Sequence, residues 1–176
     1  METKSMQIYR LIARLLDYPD AEMLENLSMF DEIIDSDSSI TKQEQKKLKD
    51  ILTWMRMHNV TGLQETYVQT FDMTPEHDLH LTHHLFGDDR GRGPALVDLG
   101  EHYKSAGLEV AEKELPDYLP LILEYVSTLD DMQARVFLGD AVKVLTVLAE
   151  NLEKASSPYS SLIRIIESRG HLAQAA

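Results

Sequence analysis

Cysteine is absent from this 176-residue chain. Without thiols there is no disulfide, no thiolate metal site and no cysteine nucleophile, a composition that fits a reducing compartment. Basic residues are scarce too: 17 lysines and arginines face 30 aspartates and glutamates, a formal net charge of −13. So little positive charge argues against nucleic acid as the main partner, because phosphate binding needs a basic surface. The same balance suits a basic peptide or protein, and equally suits plain solubility. No run approaches the ~20 apolar residues needed to span a bilayer. The opening METKSMQIYRLIARLLDYP has no long apolar core and no small-residue cleavage site, so no signal peptide is expected. The expectation is a soluble, cytoplasmic protein with no direct membrane insertion. A G-x-S-x-G elbow, a P-loop, a dinucleotide fingerprint, an HExxH pattern and internal repeats are all missing.

What is present is helical periodicity. Apolar content is 43%, enough for one domain with a real core. Ile8, Leu11, Ile12, Leu15 and Leu16 make one stripe, with Ser5 as a cap and Pro19 as a stop. Asp20 caps a second helix through Ile34, which gives way to a polar loop at 35–39. Thr41 and Glu44 form a capping-box pattern ahead of Leu48, Ile51, Leu52 and Met55, and Thr61 with Gln64 offers another ahead of Tyr67 and Phe71. Thr74-Pro75 opens a helix that stops near Gly87; Leu96, Leu99 and Tyr103 mark one ended by Gly107. Pro116 starts a helix that is apolar nearly all round and should be central. The stretch 136–152 reads as one long amphipathic helix, and Ser157-Pro158 starts the last, with 170–176 a fraying tail. The expected fold is all-α: a single globular bundle over residues 1–176, with about eight or nine helices around a buried central one.

Chemistry concentrates in 83–126. Glu124 stands in the most hydrophobic run, where an unpaired buried charge is too costly to keep. Its partner is either Arg90 or Arg92, or a ligand. His77, His80 and His84 would share a helical face able to hold a metal, although a solvated face is the commoner meaning of such a cluster. Arg90, Arg92 and Gly93 could seat a phosphate at a helix start, or cap the helix and pair with Asp88, Asp89 or Asp98. Asp117 and Glu124, two turns apart or roughly 10 Å, are wide for an acid–base pair and have no nucleophile beside them. Tyr67, Phe71, Phe86, Tyr103, Tyr118 and Tyr125 serve a core, or wall a peptide groove in which carboxylates anchor arginine. Asp117 is either that anchor or a complement to a helix dipole.

Three blocks carry a family resemblance: RLLDYPD (14–20), YVQTFD (67–72), and the pair HLFGDDRGRGPALVDL (84–99) with GLEVAEKELPDYLPLILEYVSTL (107–129). The chain resembles the nitrate reductase molybdenum-cofactor assembly chaperones (NarJ type) of the wider TorD/DmsD group of redox-enzyme maturation proteins. The resemblance covers about residues 8–152. It implies an all-helical cytoplasmic chaperone without enzymatic activity or a cofactor of its own. Its partner would be the N-terminal, twin-arginine-like segment of the respiratory nitrate reductase catalytic subunit, held until molybdenum cofactor is inserted. Cofactor-delivery proteins are further candidate partners, and the form is a monomer or a helix-swapped dimer. An Asp-His pair at the start of the family's central helix is tied to peptide recognition; here it matches Asp117 followed by Tyr118. The residues expected to bind the segment are Asp117, Tyr118, Tyr67, Phe71, Asp72, His84, Arg90, Arg92, Leu96, Tyr103 and Glu124. A chaperone for another molybdoenzyme, a general helical adaptor, and a metal- or nucleotide-dependent enzyme are the alternatives.

Overall fold

The computed structural model describes residues 7–86, 90–110 and 114–175. Eleven α-helices occur among them, and no strand: α1 Gln7–Leu15, α2 Ala21–Glu25, α3 Leu27–Ser36, α4 Lys42–Arg56, α5 Val60–Tyr67, α6 Leu81–Phe86, α7 Arg92–Ser105, α8 Leu119–Val126, α9 Asp131–Gly139, α10 Val142–Lys154 and α11 Ser160–Ala175. No described helix is long and apolar enough to cross a membrane. The expected Ser5 cap, the stop at Gly87 and the ion-pair partners Asp88 and Asp89 lie outside the described residues.

Local sequence explains most helix ends. Thr41 and Glu44 form the expected capping box, each side chain bonded to the other's backbone amide. Gly107, at φ +75°, closes the turn after α7, where a side chain would be strained. Elsewhere the structure departs from expectation. The second helix bends at Asn26 into α2 and α3. The cap of α5 is Asn59, which accepts from the Gly62 amide at 2.7 Å; Thr61 lies inside the helix, so its box does not form. The stretch 136–152 is two helices, interrupted at Asp140 and Ala141. The last helix, α11, continues past Gly170 to Ala175. Gly170 is buried within α11, where a Cβ would lie 2.9 Å from the Leu138 backbone. Glycine is what lets α9 and α11 come this close.

The largest departure matters most for function. Residues after Pro75 make one 3₁₀ turn, Pro75–His77, then pass through a bend at Leu79 to His80 before α6 begins. There they pair with 117–119. The Leu81 amide donates to the Asp117 carbonyl at 3.1 Å, and the Leu119 amide donates to the Leu79 carbonyl at 2.9 Å. This pairing delays α8 until Leu119, with Pro120 in its first turn, rather than letting it start at Pro116. It also dissolves the shared histidine face. His77 points both ring nitrogens at carbonyls of Thr70 and Asn151, and His84 donates to the Asp78 carbonyl at 2.6 Å.

The core runs along α8. Leu119, Ile122, Leu123 and Val126 are buried at i, i+3, i+4 and i+7, and α1 packs alongside with Ile8, Leu11, Ile12 and Leu15. The last helix, α11, packs against both α9 and α10. Arg169 of α11 reaches back to Glu44 with a two-pronged bond, Nε at 2.8 Å and Nη2 at 2.9 Å, over the ring of Tyr9. Burial alone would raise the Glu44 carboxyl, but the guanidinium and the Thr41 amide outweigh it and hold the group below its usual range.

Candidate functional site

The pairing of 79–81 with 117–119 is a wall between two depressions. The neighbours Asp117 and Tyr118 face opposite ways across it. Tyr118 and His80 line one side; Asp117, Leu119, Leu81 and Thr82 line the other.

The first side is an open acidic cleft of about 360 Å³, bounded by Asp17, Tyr18, Tyr67, Phe71, Asp72, Asp78, Leu79, His80, Glu114 and Tyr118. Tyr67 and Phe71 are nearly buried and form its floor; Tyr18, 46% exposed, stands at the rim with its ring edge-on to Tyr67 at 5.6 Å. The Tyr67 hydroxyl donates to the Leu16 carbonyl at 2.7 Å, and that of Tyr118 donates to Asp17 at 3.2 Å. The two hydroxyls are 3.0 Å apart, so three contacts share two protons. Burial pushes both hydroxyls well above the ordinary tyrosine range, which keeps them neutral. His80 lies over Tyr118 at 5.2 Å, between Asp78 at 2.7 Å and Glu114 at 3.4 Å. The Asp78 hydrogen bond raises the imidazole's affinity for its proton against the cost of burial. Burial would raise the Asp78 carboxyl in turn, but the bonds from His80 prevail and lower it. Four carboxylates thus surround one titratable cation and three tyrosines. Such a place accepts a guanidinium or ammonium group: carboxylates for the charge, ring faces for the stem.

A second cavity of about 360 Å³ adjoins it through Asp17 and is bordered by Arg10, Arg14, Glu124 and Ser127. Glu124 therefore contradicts expectation: it is exposed at the edge of α8 rather than buried, and Arg10, not Arg90 or Arg92, is the cation beside it. Partial burial and the nearby Asp17 raise its carboxyl, against the pull of Arg10. The reason is geometric. Leu121 and Glu124 lie on the outward face of α8, opposite the buried one.

The buried carboxylate is Asp117, fully inaccessible beneath the other side of the wall. Its Oδ2 accepts from the Thr82 amide at 3.0 Å and from the Thr82 hydroxyl. Arg92 donates from Nε to that hydroxyl at 2.9 Å, while its Nη2 stays 3.8 Å from Asp117. Over this cluster lies an apolar groove of about 150 Å³ between α6, α7, α8 and the α9–α10 junction.

Residues 35–163 match the family described as nitrate reductase delta subunit. The chain belongs to that family. It is 32% identical over 156 residues to the nitrate reductase molybdenum cofactor assembly chaperone NarJ of Escherichia coli K12, covering 89% of this chain and 66% of that protein. It is also 32% identical over 167 residues to the probable NarJ chaperone of Bacillus subtilis 168, covering 94% of this chain and 90% of that one. Over 100 residues it is 31% identical to the nitrate reductase-like protein NarX of Mycobacterium tuberculosis H37Rv, 57% of this chain and 15% of that much longer protein. The chain thus spans about two thirds of the length of the Escherichia coli relative.

In this delta-subunit-family chain the residues expected to form one site fall into three places. Tyr67, Phe71, Asp72 and Tyr118 meet in the acidic cleft. Asp117 and Arg92 belong to the buried cluster; Tyr103 sits near it, donating to the Pro116 carbonyl, and Leu96 is half-buried on α7. Arg90 is exposed before α7, His84 serves the Asp78 carbonyl, and Glu124 edges the neighbouring cavity. Asp98 pairs with His102 rather than with Arg90 or Arg92. As seated here, Asp117 offers nothing to a ligand approaching from solvent. Asp17, Tyr18 and Glu114 line the cleft as well, outside the expected set. Asp17 and Tyr18 stand inside RLLDYPD, a block that read as a helix and turn only.

Proposed function

We propose that this protein is an assembly chaperone that binds the N-terminal, twin-arginine-like segment of the respiratory nitrate reductase catalytic subunit. It holds that subunit until molybdenum cofactor is inserted, and catalyses no reaction itself. The observation that carries the reading is the cleft. Asp17, Asp72, Asp78 and Glu114 gather around Tyr18, Tyr67 and Tyr118, and a basic side chain from another polypeptide fits such a setting. The names of the relatives supply the direction: they are nitrate reductase molybdenum cofactor assembly chaperones. The net charge of −13 adds steering toward a basic segment. In this reading Tyr67 and Phe71 are the floor, Tyr18 and Tyr118 the walls, and Asp72 and Glu114 the anchors nearest solvent.

Calorimetric titration with a synthetic peptide of the catalytic subunit's N-terminal segment tests it. Binding should weaken with salt and in an Asp72→Asn/Glu114→Gln double variant. A peptide that binds equally well to the double variant and at high salt would remove the cleft from the proposal.

A further inference from the structure

We propose that α7 is a resident stand-in for the partner segment, seated over Asp117 until a basic amphipathic helix takes its place. The inference rests on the leader-binding reading and adds to it the site for the segment's apolar face.

Four observations converge. Asp117 is fully buried, and among the described residues its Oδ1 has no hydrogen-bond partner. A carboxylate oxygen in that state is costly, because it has lost water without gaining a donor. The cation beside it answers the cost poorly: Arg92 spends its Nε–H on Thr82 and holds Nη2 at 3.8 Å from the carboxylate. The helix carrying Arg92 is thinly seated as well. Of α7 only Tyr103 is fully buried, and Val97 is 66% exposed. Beneath it about 150 Å³ stays unfilled between Leu81, Leu85, Ile122, Phe137 and Leu145, with Leu85 itself 59% exposed. That is room for one more large apolar side chain.

The pattern on α7 describes what would fit better. Arg92, Leu96, Leu99 and Tyr103 recur at i, i+4, i+7 and i+11, a single face that presents one cation followed by apolar groups. A partner helix with an arginine reaching Oδ1 directly, followed by bulkier apolar residues at the same spacing, would pair the orphan oxygen and fill the groove. The partner then wins by the difference between two occupants of one seat, and α7 lowers its apparent affinity in proportion to the time it is seated.

Hydrogen exchange on the full chain, with and without the synthetic leader peptide, tests this alongside peptide affinities of Arg92→Ala, Arg92→Lys and Leu99→Ala. In the free chain α7 should exchange faster than α8 and α11, and faster again in Arg92→Ala. Added peptide should expose α7 further while protecting 79–82 and α8. Arg92→Ala should bind about tenfold tighter because the competitor is weakened, Leu99→Ala should shift the same way, and Arg92→Lys should stay near the parent. Binding that protects α7, or an Arg92→Ala variant with unchanged or weaker affinity, overturns the inference alone. No binding by any form sinks the leader-binding reading and this inference with it.

Discussion

α11 and α7 are of similar length, yet the fold treats them differently. α11 buries Leu162, Ile163, Ile165, Ile166, Arg169 and Gly170, packs against α9 and α10, and locks Glu44 of a distant helix through Arg169. α7 buries Tyr103 alone and, among the described residues, reaches another element through one long ion pair, Arg92 to Asp117. Close packing costs a helix its freedom, whereas thin packing leaves opening at little expense. The contrast separates a scaffold, which holds the site walls in place, from an element able to give way beside them.

The largest effect should come from the scaffold. Arg169→Ala leaves the half-buried Glu44 carboxylate without its cation and is expected to cost about 3 kcal/mol, read as a lowered midpoint in urea. Gly170→Ala should follow, at about 1–3 kcal/mol, because its Cβ meets Leu138 backbone that cannot swing aside. Arg92→Ala should cost only about 1 kcal/mol of stability, one hydrogen bond to a half-exposed helix, while tightening peptide binding. If Arg92→Ala unfolds the protein as readily as Arg169→Ala, the contrast fails. In the cleft, Asp72→Asn alone should weaken peptide binding by about 0.2–1 kcal/mol, as expected of an exposed charge at a rim; it should leave the melting temperature unchanged.

The smallest effect is a pH dependence. The folded protein raises the affinity of His80 for its proton, through Asp78 first. The stabilisation is therefore fully present below the free imidazole's value near ~6.5 and fades as pH rises through the folded value. A His80→Gln variant should thus differ most from the parent in melting temperature at about pH 6 and least at about pH 9. A gap that widens with pH would reverse the sign and dismiss the Asp78–His80 pair as its cause.

How far the sequence disclosed this arrangement depended on range. The stripes at 8–16 and 48–55 describe the helices they form, because 3.6-residue periodicity is local. The outward position of Glu124 was legible in principle. Positions 121 and 124 fall opposite 119, 122, 123 and 126 on a helix, hidden by the apolar residues around them. The opposite facing of Asp117 and Tyr118 was not. It comes from pairing with residues nearly forty positions earlier, and the single bridge between the two segments is too short to leave a period-2 signal. The cleft shows the same limit: Tyr118 meets Asp17 across 101 positions. Tyr67 and Phe71 stand four residues apart in the sequence, but only the fold brings them together with Tyr18 and Tyr118 in one cleft.

The most direct test of the account is a cross-linking map. A synthetic leader peptide of the reductase catalytic subunit, carrying a photoreactive group beside its basic residues, is irradiated on the full chain and the adducts are read by mass spectrometry. The account predicts adducts at Asp17–Tyr18, around Asp72–His80 and around Glu114–Tyr118. Adducts confined to the outer faces of α3 and α4, or spread without preference, would contradict it.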